Sequence, residues 1–69
     1  MEKVFGERFR ELREEKGMSQ RAIAEIFGVS QMTILRWESG GETDFTMLAK
    51  ICKFFGVTSD YLIGLSDDL

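Results

Sequence analysis

The stretch that decides the fold reads, from residue 20 to residue 38, Gln20-Arg21-Ala22-Ile23-Ala24-Glu25-Ile26-Phe27-Gly28-Val29-Ser30-Gln31-Met32-Thr33-Ile34-Leu35-Arg36-Trp37-Glu38. Gly28 allows the positive φ that a tight turn requires. Val29 is an apolar residue that can enter the core after the turn, and Ser30 can cap the helix that follows. We therefore predict two short helices, from about Gln20 to Phe27 and from about Gln31 to Ser39, that meet at a large angle.

Apolar side chains at helical spacing predict three further helices. They run from about Glu2 to Lys16, from about Phe45 to Phe55, and from Ser59 to Ile63. No segment alternates with period 2 for long enough to form a strand. The sequence therefore predicts a compact all-α fold of five helices in one domain, residues 1–69, with residues 66–69 as a frayed tail.

Several functional classes conflict with the composition. The 69 residues include one cysteine, Cys52, and no histidine, so an internal disulfide and a cluster of metal ligands are not expected. A Cys nucleophile would lack its usual His partner. We expect a cytosolic protein that is not an enzyme, with no cofactor, no metal, no membrane contact and no small-molecule ligand. Cys52 lies on the apolar stripe of the fourth helix and is expected to be a buried free thiol.

The net charge of −3 is unevenly distributed. Residues 42–69 contain two basic and five acidic side chains, whereas residues 16–37 contain three basic side chains and one acidic side chain. A locally positive stretch thus coincides with the two helices predicted around Gly28.

The chain resembles the lambda-repressor-like helix-turn-helix family, also called the XRE family, which includes phage repressors and Cro proteins. The resemblance extends from about Phe5 to Ile63 without obvious gaps. It is carried by residues 12–20 (LREEKGMSQ), Ala24, residues 28–30 (GVS), Ile34, residues 37–40 (WESG) and residues 55–62 (FGVTSDYL). It implies a regulator, most simply a repressor, that binds double-stranded DNA as a homodimer on a two-fold symmetric operator.

In that family the third helix enters the major groove, which implies base contacts for Gln31, Met32, Thr33 and Arg36. Gln31 suits adenine, Arg36 suits guanine or a phosphate, and Met32 and Thr33 suit a thymine methyl. The alternative is that some of these side chains simply face solvent. Leu35 is expected to pack locally, although contact with DNA or with a protein remains an alternative.

The resemblance also implies phosphate contacts from Gln20, Arg21, Ser30, Ser39 and Gly40. The alternative for Gln20 is an exposed residue near a helix cap, and Ser30 is first of all a cap. Two further residues, Arg13 and Glu38, match a family pair that forms a salt bridge between the first and third helices. Trp37 is interpreted as a packing residue.

One segment departs from the family pattern. Residues 41–45 (GETDF) are acidic, where many relatives carry a basic loop. Because each missing Lys or Arg removes released counterions, we expect weaker non-specific binding and a shallower salt dependence. Asp44 can serve as a helix cap. The acidity and the outward Met32 and Leu35 support an alternative, a protein-interaction module of the same fold. A patch of Phe54, Tyr61 and Leu65 is a candidate dimer surface.

Overall fold

The computed structural model describes residues 4–69, which form five α-helices and, within that range, no strand. The helices are α1 (Val4–Glu15), α2 (Gln20–Phe27), α3 (Gln31–Glu38), α4 (Phe45–Phe55) and α5 (Ser59–Ile63). The predicted fold class is confirmed, and the bounds of α2, α4 and α5 agree with the prediction. Helix α3 ends one residue early because Ser39 is its C-cap, and α1 ends at Glu15 instead of Lys16. The expected start of α1 at Glu2 lies outside the described residues.

Helices α2 to α5 begin where a polar side chain accepts a hydrogen bond from a backbone N–H of the first turn. The four N-caps are Ser19, Ser30, Asp44 and Thr58. In the turn between α2 and α3, Gly28 has φ +69°, and its backbone N–H donates to α2 carbonyls. The half-buried Val29 then packs against the core, as predicted. The angle between the two helices therefore follows from local sequence.

The core is built by side chains from all five helices. Its largest fully buried members are Phe9, Ile23, Ile34, Trp37, Ile51 and Leu62. The rings of Phe9 and Trp37 pack edge to face with centroids 5.5 Å apart. Within residues 4–69 no helix has both the length and the apolar character needed to cross a membrane.

Two expectations about the C-terminal half are corrected. Phe54 packs edge to face on Phe27, with centroids 5.5 Å apart, and Lys16 lies over its ring. Tyr61 is covered by the guanidinium of Arg8, 4.3 Å from the ring centroid. Phe54 and Tyr61 are therefore half-buried, and of the expected patch Leu65 alone is well exposed, at 66%. The Cys52 thiol is only partly buried, and that burial raises its pKa.

Arg8 also ties the end of the chain to α1. Its Nη1 donates to the carbonyl oxygens of Tyr61 and Ser66, the latter at 2.7 Å, and its Nη2 lies 2.8 Å from Asp67 Oδ1. Ser66 and Asp67, expected in the frayed tail, thus have defined partners, and the Asp68 backbone N–H donates to Ser66 Oγ at 3.0 Å. The side chains of residues 67–69 are exposed.

Helix α1 approaches the end of α3 very closely at Gly6. A Cβ atom built on Gly6 would lie 2.3 Å from the carbonyl oxygen of Trp37 and 3.0 Å from Glu38 Cα. Because both atoms belong to the backbone, no side-chain rotation could make room. Gly6 therefore sets the separation of α1 and α3.

We predict that Gly6→Ala destabilises the protein by roughly 1–3 kcal/mol, because the added methyl group overpacks this contact. The sign is informative, since Ala in a helix interior is ordinarily favoured over Gly by about 0.5–1 kcal/mol. Urea denaturation measures the difference. Glu11→Ala, at an exposed position of the same helix, is the control and should change stability by less than about 0.5 kcal/mol. A stabilised Gly6→Ala protein would contradict the close approach.

An ion pair fixes α3 against α1. Arg13 Nε lies 2.8 Å from Glu38 Oε2, and Arg13 Nη2 lies 3.1 Å from Glu38 Oε1. The side chains are 11% and 4% exposed. Arg13 Nη1 donates to the Met18 carbonyl oxygen at 2.9 Å. The hydrogen bond to Glu38 raises the pKa of Arg13, so the guanidinium stays charged.

We expect Arg13→Ala to lower the free energy of unfolding by roughly 3–5 kcal/mol, because it leaves the buried Glu38 carboxylate without its main partner. Chemical denaturation provides the measurement. Arg10→Ala removes an exposed arginine from the same helix and should have little effect. If the two variants lost similar stability, the buried pair would not be what holds α3.

Candidate nucleic-acid interface

The outward face of α3 is formed by side chains opposite the buried Ile34 and Trp37. Gln31 and Arg36 are exposed on it, and Met32 and Leu35 are 70% and 45% exposed. Leu35 was expected to pack locally, but nearly half of its surface stays exposed. The face combines an amide, a guanidinium and two apolar side chains.

Thr33 stands apart from that group. Ser30 Oγ accepts a hydrogen bond from the Thr33 backbone N–H at 3.1 Å and lies 2.9 Å from Thr33 Oγ1. Both hydroxyls thus take part in the N-cap of α3. What the half-buried Thr33 offers a ligand is chiefly its methyl group.

Arg36 points along the loop that follows α3. Its Nη1 donates to the Glu42 carbonyl oxygen at 3.3 Å. Together they border an open groove of about 630 Å³, whose other lining residues are Val29, Thr33, Trp37, Thr43, Asp44 and Met47. Arg36 is therefore at the edge of the outward face, next to an acidic loop.

Gln20 is the first residue of α2, and its side-chain amide contacts α3. Gln20 Nε2 donates to Glu38 Oε1 at 3.2 Å, a contact that the sequence analysis did not predict. One amide N–H is used in this way, and the second N–H and the amide oxygen have further hydrogen-bonding capacity. Arg21 follows in an exposed position. Helix α2 thus presents a polar N-terminus beside α3.

The donors of Ser39 and Gly40 are already used at the C-terminus of α3. Ser39 Oγ donates to the Leu35 carbonyl oxygen at 2.8 Å, and the backbone N–H groups of Ser39 and Gly40 donate to Leu35 and Trp37 carbonyls. The C-terminal end of a helix also carries the negative end of its dipole. These two residues are thus less suited to an anion than the sequence suggested.

The two carboxylates of the acidic loop, those of Asp44 and Glu42, have different surroundings. Asp44 Oδ1 accepts from the Met47 backbone N–H at 2.7 Å, so Asp44 caps α4, as predicted. Glu42 is exposed beside Arg36. Among the side chains of residues 4–69, no group of His, Cys, Asp or Glu is arranged to hold a metal ion.

The chain is similar to known proteins in sequence and in structure. Residues 9–62 match a family model described as Helix-turn-helix. The SPbeta prophage-derived uncharacterized HTH-type transcriptional regulator YonR of Bacillus subtilis (strain 168) is 34% identical over 61 residues, 87% of this chain and 56% of YonR. The HTH-type transcriptional activator BcrR of Enterococcus faecalis is 42% identical over 61 residues, 87% of this chain and 30% of BcrR. The chain thus spans less than two thirds of either relative.

Among solved structures, the P22 c2 repressor protein in complex with synthetic operator 9T superposes with a TM-score of 0.77 and 33% identity. The match covers 86% of this chain and 91% of that chain. The two relatives are named as regulators and not as enzymes, which agrees with the expectation from composition. The matched residues include α2, the Gly28 turn and α3, and the chain belongs to the helix-turn-helix family of transcriptional regulators.

Proposed function

We propose that this domain is a sequence-specific DNA-binding repressor that acts in the cytoplasm and binds a two-fold symmetric operator as a homodimer. The observation that carries the proposal is the outward face of α3, where Gln31, Met32, Leu35 and Arg36 are exposed on a helix whose other face is anchored. A helix with this arrangement fits the major groove of B-DNA. The likeness to an operator-bound repressor supports the proposal.

The proposed base contacts come from Gln31, Met32, Thr33 and Arg36. Gln31 can pair with the N6 and N7 edge of adenine, and Met32 and the Thr33 methyl suit a thymine methyl. Arg36 can contact guanine only if its hydrogen bond to the Glu42 carbonyl oxygen breaks. Otherwise its proposed contact is a phosphate.

The proposed phosphate contacts come from Gln20, Arg21 and Ser30 at the N-termini of α2 and α3, with Ser39 and Gly40 as weaker candidates. A helix N-terminus favours anions through its free N–H groups and its dipole. Glu38 would hold the Gln20 amide in place for such a contact.

The test is a selection of bound duplexes from a random DNA pool at two salt concentrations, followed by affinity measurements on the selected operator. We expect Gln31→Ala to cost roughly 1–3 kcal/mol and to relax specificity at one base pair. Gln20→Ala should weaken the binding of all sequences alike, because a phosphate contact carries no sequence information. Glu15→Ala, at an exposed position of α1, is the control. If neither glutamine variant changed binding, these assignments would be wrong.

The apolar part of the face yields a second test. We expect replacement of operator thymines by uracil to weaken binding about fourfold for each contacted methyl, the equivalent of about 0.8 kcal/mol per buried carbon. Met32→Ala combined with Thr33→Ser, which removes the Thr33 methyl and keeps its hydroxyl, should abolish that difference while leaving the uracil duplex bound. Fluorescence anisotropy measures both. Equal affinity of the natural protein for the two duplexes would exclude methyl recognition by this pair.

A protein-interaction module is the second candidate function. It is favoured by the net charge of −3, by the exposed Glu42 and by the apolar Met32 and Leu35 on the outward face. No enrichment of any duplex at low salt would support it, and a selected operator would exclude it.

A further inference from the structure

The loop after α3 is bound to Arg36 through its backbone. The Gly41 N–H donates to the Arg36 carbonyl oxygen at 2.8 Å, and the Gly40 N–H donates to the Trp37 carbonyl oxygen at 3.2 Å. This pair of hydrogen bonds is the Schellman motif that ends many helices. The position that Gly41 occupies in the motif frequently carries an apolar side chain that packs back on the helix. Gly41 has no side chain, so the loop backbone itself lies against Arg36.

That contact leaves no space for a side chain at position 41. A Cβ atom built on Gly41 would lie 2.9 Å from Arg36 Cγ and 2.8 Å from the Arg36 carbonyl oxygen. The backbone of Gly41 does not have a positive φ, so alanine would meet this steric obstacle without conformational strain. Either the loop or the Arg36 side chain would have to move. Glycine is therefore what allows the stem of Arg36 to lie along the loop.

The guanidinium at the end of that stem is held on the loop side as well. Arg36 Nη1 donates to the Glu42 carbonyl oxygen at 3.3 Å, and Glu42 is exposed beside it. Arg36 lies in the last turn of α3, where the negative end of the helix dipole favours a cation. The steric contact, the hydrogen bond and the electrostatic attraction thus all direct the side chain toward the loop.

A contact with guanine would compete with this arrangement. A bidentate contact directs two N–H groups of the guanidinium at O6 and N7 of the base, and the guanidinium must leave the Glu42 carbonyl oxygen to reach them. A hydrogen bond from a charged group contributes about as much free energy as a bidentate contact contributes to discrimination. The loop can therefore offset the preference for guanine that an arginine at this position would otherwise give.

We propose that Gly41 is a positioning residue that withholds Arg36 from the base edges. Its bare backbone keeps the guanidinium on the loop, and sequence reading falls to Gln31, Met32 and Thr33. The proposal rests on the proposed function and decides one point of it. Arg36 stands on the helix that reads DNA but does not read guanine until the loop contact is broken.

The first test repeats the selection of bound duplexes with Gly41→Ala. This variant should gain a guanine in the selected sequence that the natural protein does not select, preferred at least about fivefold, the lower end of what a bidentate contact gives. Thr46→Ala, at an exposed position of α4 that does not line the groove beside Arg36, is the control and should select the natural sequence. Lost stability would weaken all duplexes alike and would not create a preference at one base pair. An unchanged selected sequence for Gly41→Ala overturns the proposal.

Arg36→Ala tests the same assignment without altering the loop backbone, and so it does not depend on the folding of Gly41→Ala. In the natural background it should leave the order of preference among duplexes unchanged. In the Gly41→Ala background it should remove the gained guanine. A loss of preference at one base pair in the natural background would identify Arg36 as a reader of bases and overturn the proposal.

A measurement without DNA separates this proposal from the proposed function. In nitrogen NMR of isotopically labelled protein, rotation of a free guanidinium averages its two Nη signals, whereas a guanidinium held in place gives separate signals. Arg36, identified by the signals that Arg36→Ala lacks, should be held in the natural protein and averaged in Gly41→Ala. The exposed Arg10 is the internal control and should be averaged in both. A held Arg36 supports the loop contact even if no duplex is selected, a result that would contradict the proposed function instead. An averaged Arg36 in the natural protein overturns the proposal.

Discussion

The buried carboxylate of Glu38 is the group on which the position of the outward face depends. It accepts hydrogen bonds from Arg13 Nε, Arg13 Nη2 and Gln20 Nε2, and so joins α1, α2 and α3. An ion removed from water costs several kcal/mol unless donors surround it. The three helices must therefore keep the one arrangement that supplies those donors. A rotation of α3 about its axis would either expose the Glu38 carboxylate to water or leave it buried without its donors.

Different residues set the rotation of α3 about its axis and its distance from α1. The ion pair sets how α3 is rotated, whereas Gly6 sets how near its C-terminal end comes to α1. Trp37 links the two effects, because its carbonyl oxygen faces Gly6 while its ring packs on Phe9. Overpacking one contact would shift the donors of the other. A polar network with strict geometry can thus be maintained in a core as small as this one.

The bounds of the helices could be predicted because their caps act within a few residues, whereas contacts between residues distant in sequence could not be predicted. Ser19, Ser30 and Asp44 mark helix starts through hydrogen bonds within three residues, so the bounds follow from the sequence. Gly6 gives no such signal, because its obstacle lies about thirty residues away. Phe54 was misread for the same reason, since Phe27 of α2 and Lys16, which follows α1, cover it.

Phe45 shows what periodicity leaves open. Its spacing from Leu48 and Cys52 suits a buried stripe, but its side chain is 90% exposed. Helical periodicity states which side chains share a face and not whether a neighbour reaches them. For the candidate site, the sequence thus indicated which residues of α3 stand together, but not that Arg36 leans on Glu42 or that Gln20 contacts Glu38.

An acidic domain of this kind can attract a polyanion only through placed groups. At the C-terminus of α3, the donors of Ser39 and Gly40 satisfy helix carbonyls, and Glu42 adds negative charge. The N-termini of α2 and α3 carry the opposite dipole, and Gln20, Arg21 and Gln31 lie there. If the domain binds DNA, phosphates should therefore approach the starts of these two helices. Affinity would then depend on the exact positions of a few hydrogen-bond donors. The hydrogen bonds of Arg13 and Gln20 to Glu38 keep α2 and α3, which carry those donors, in place.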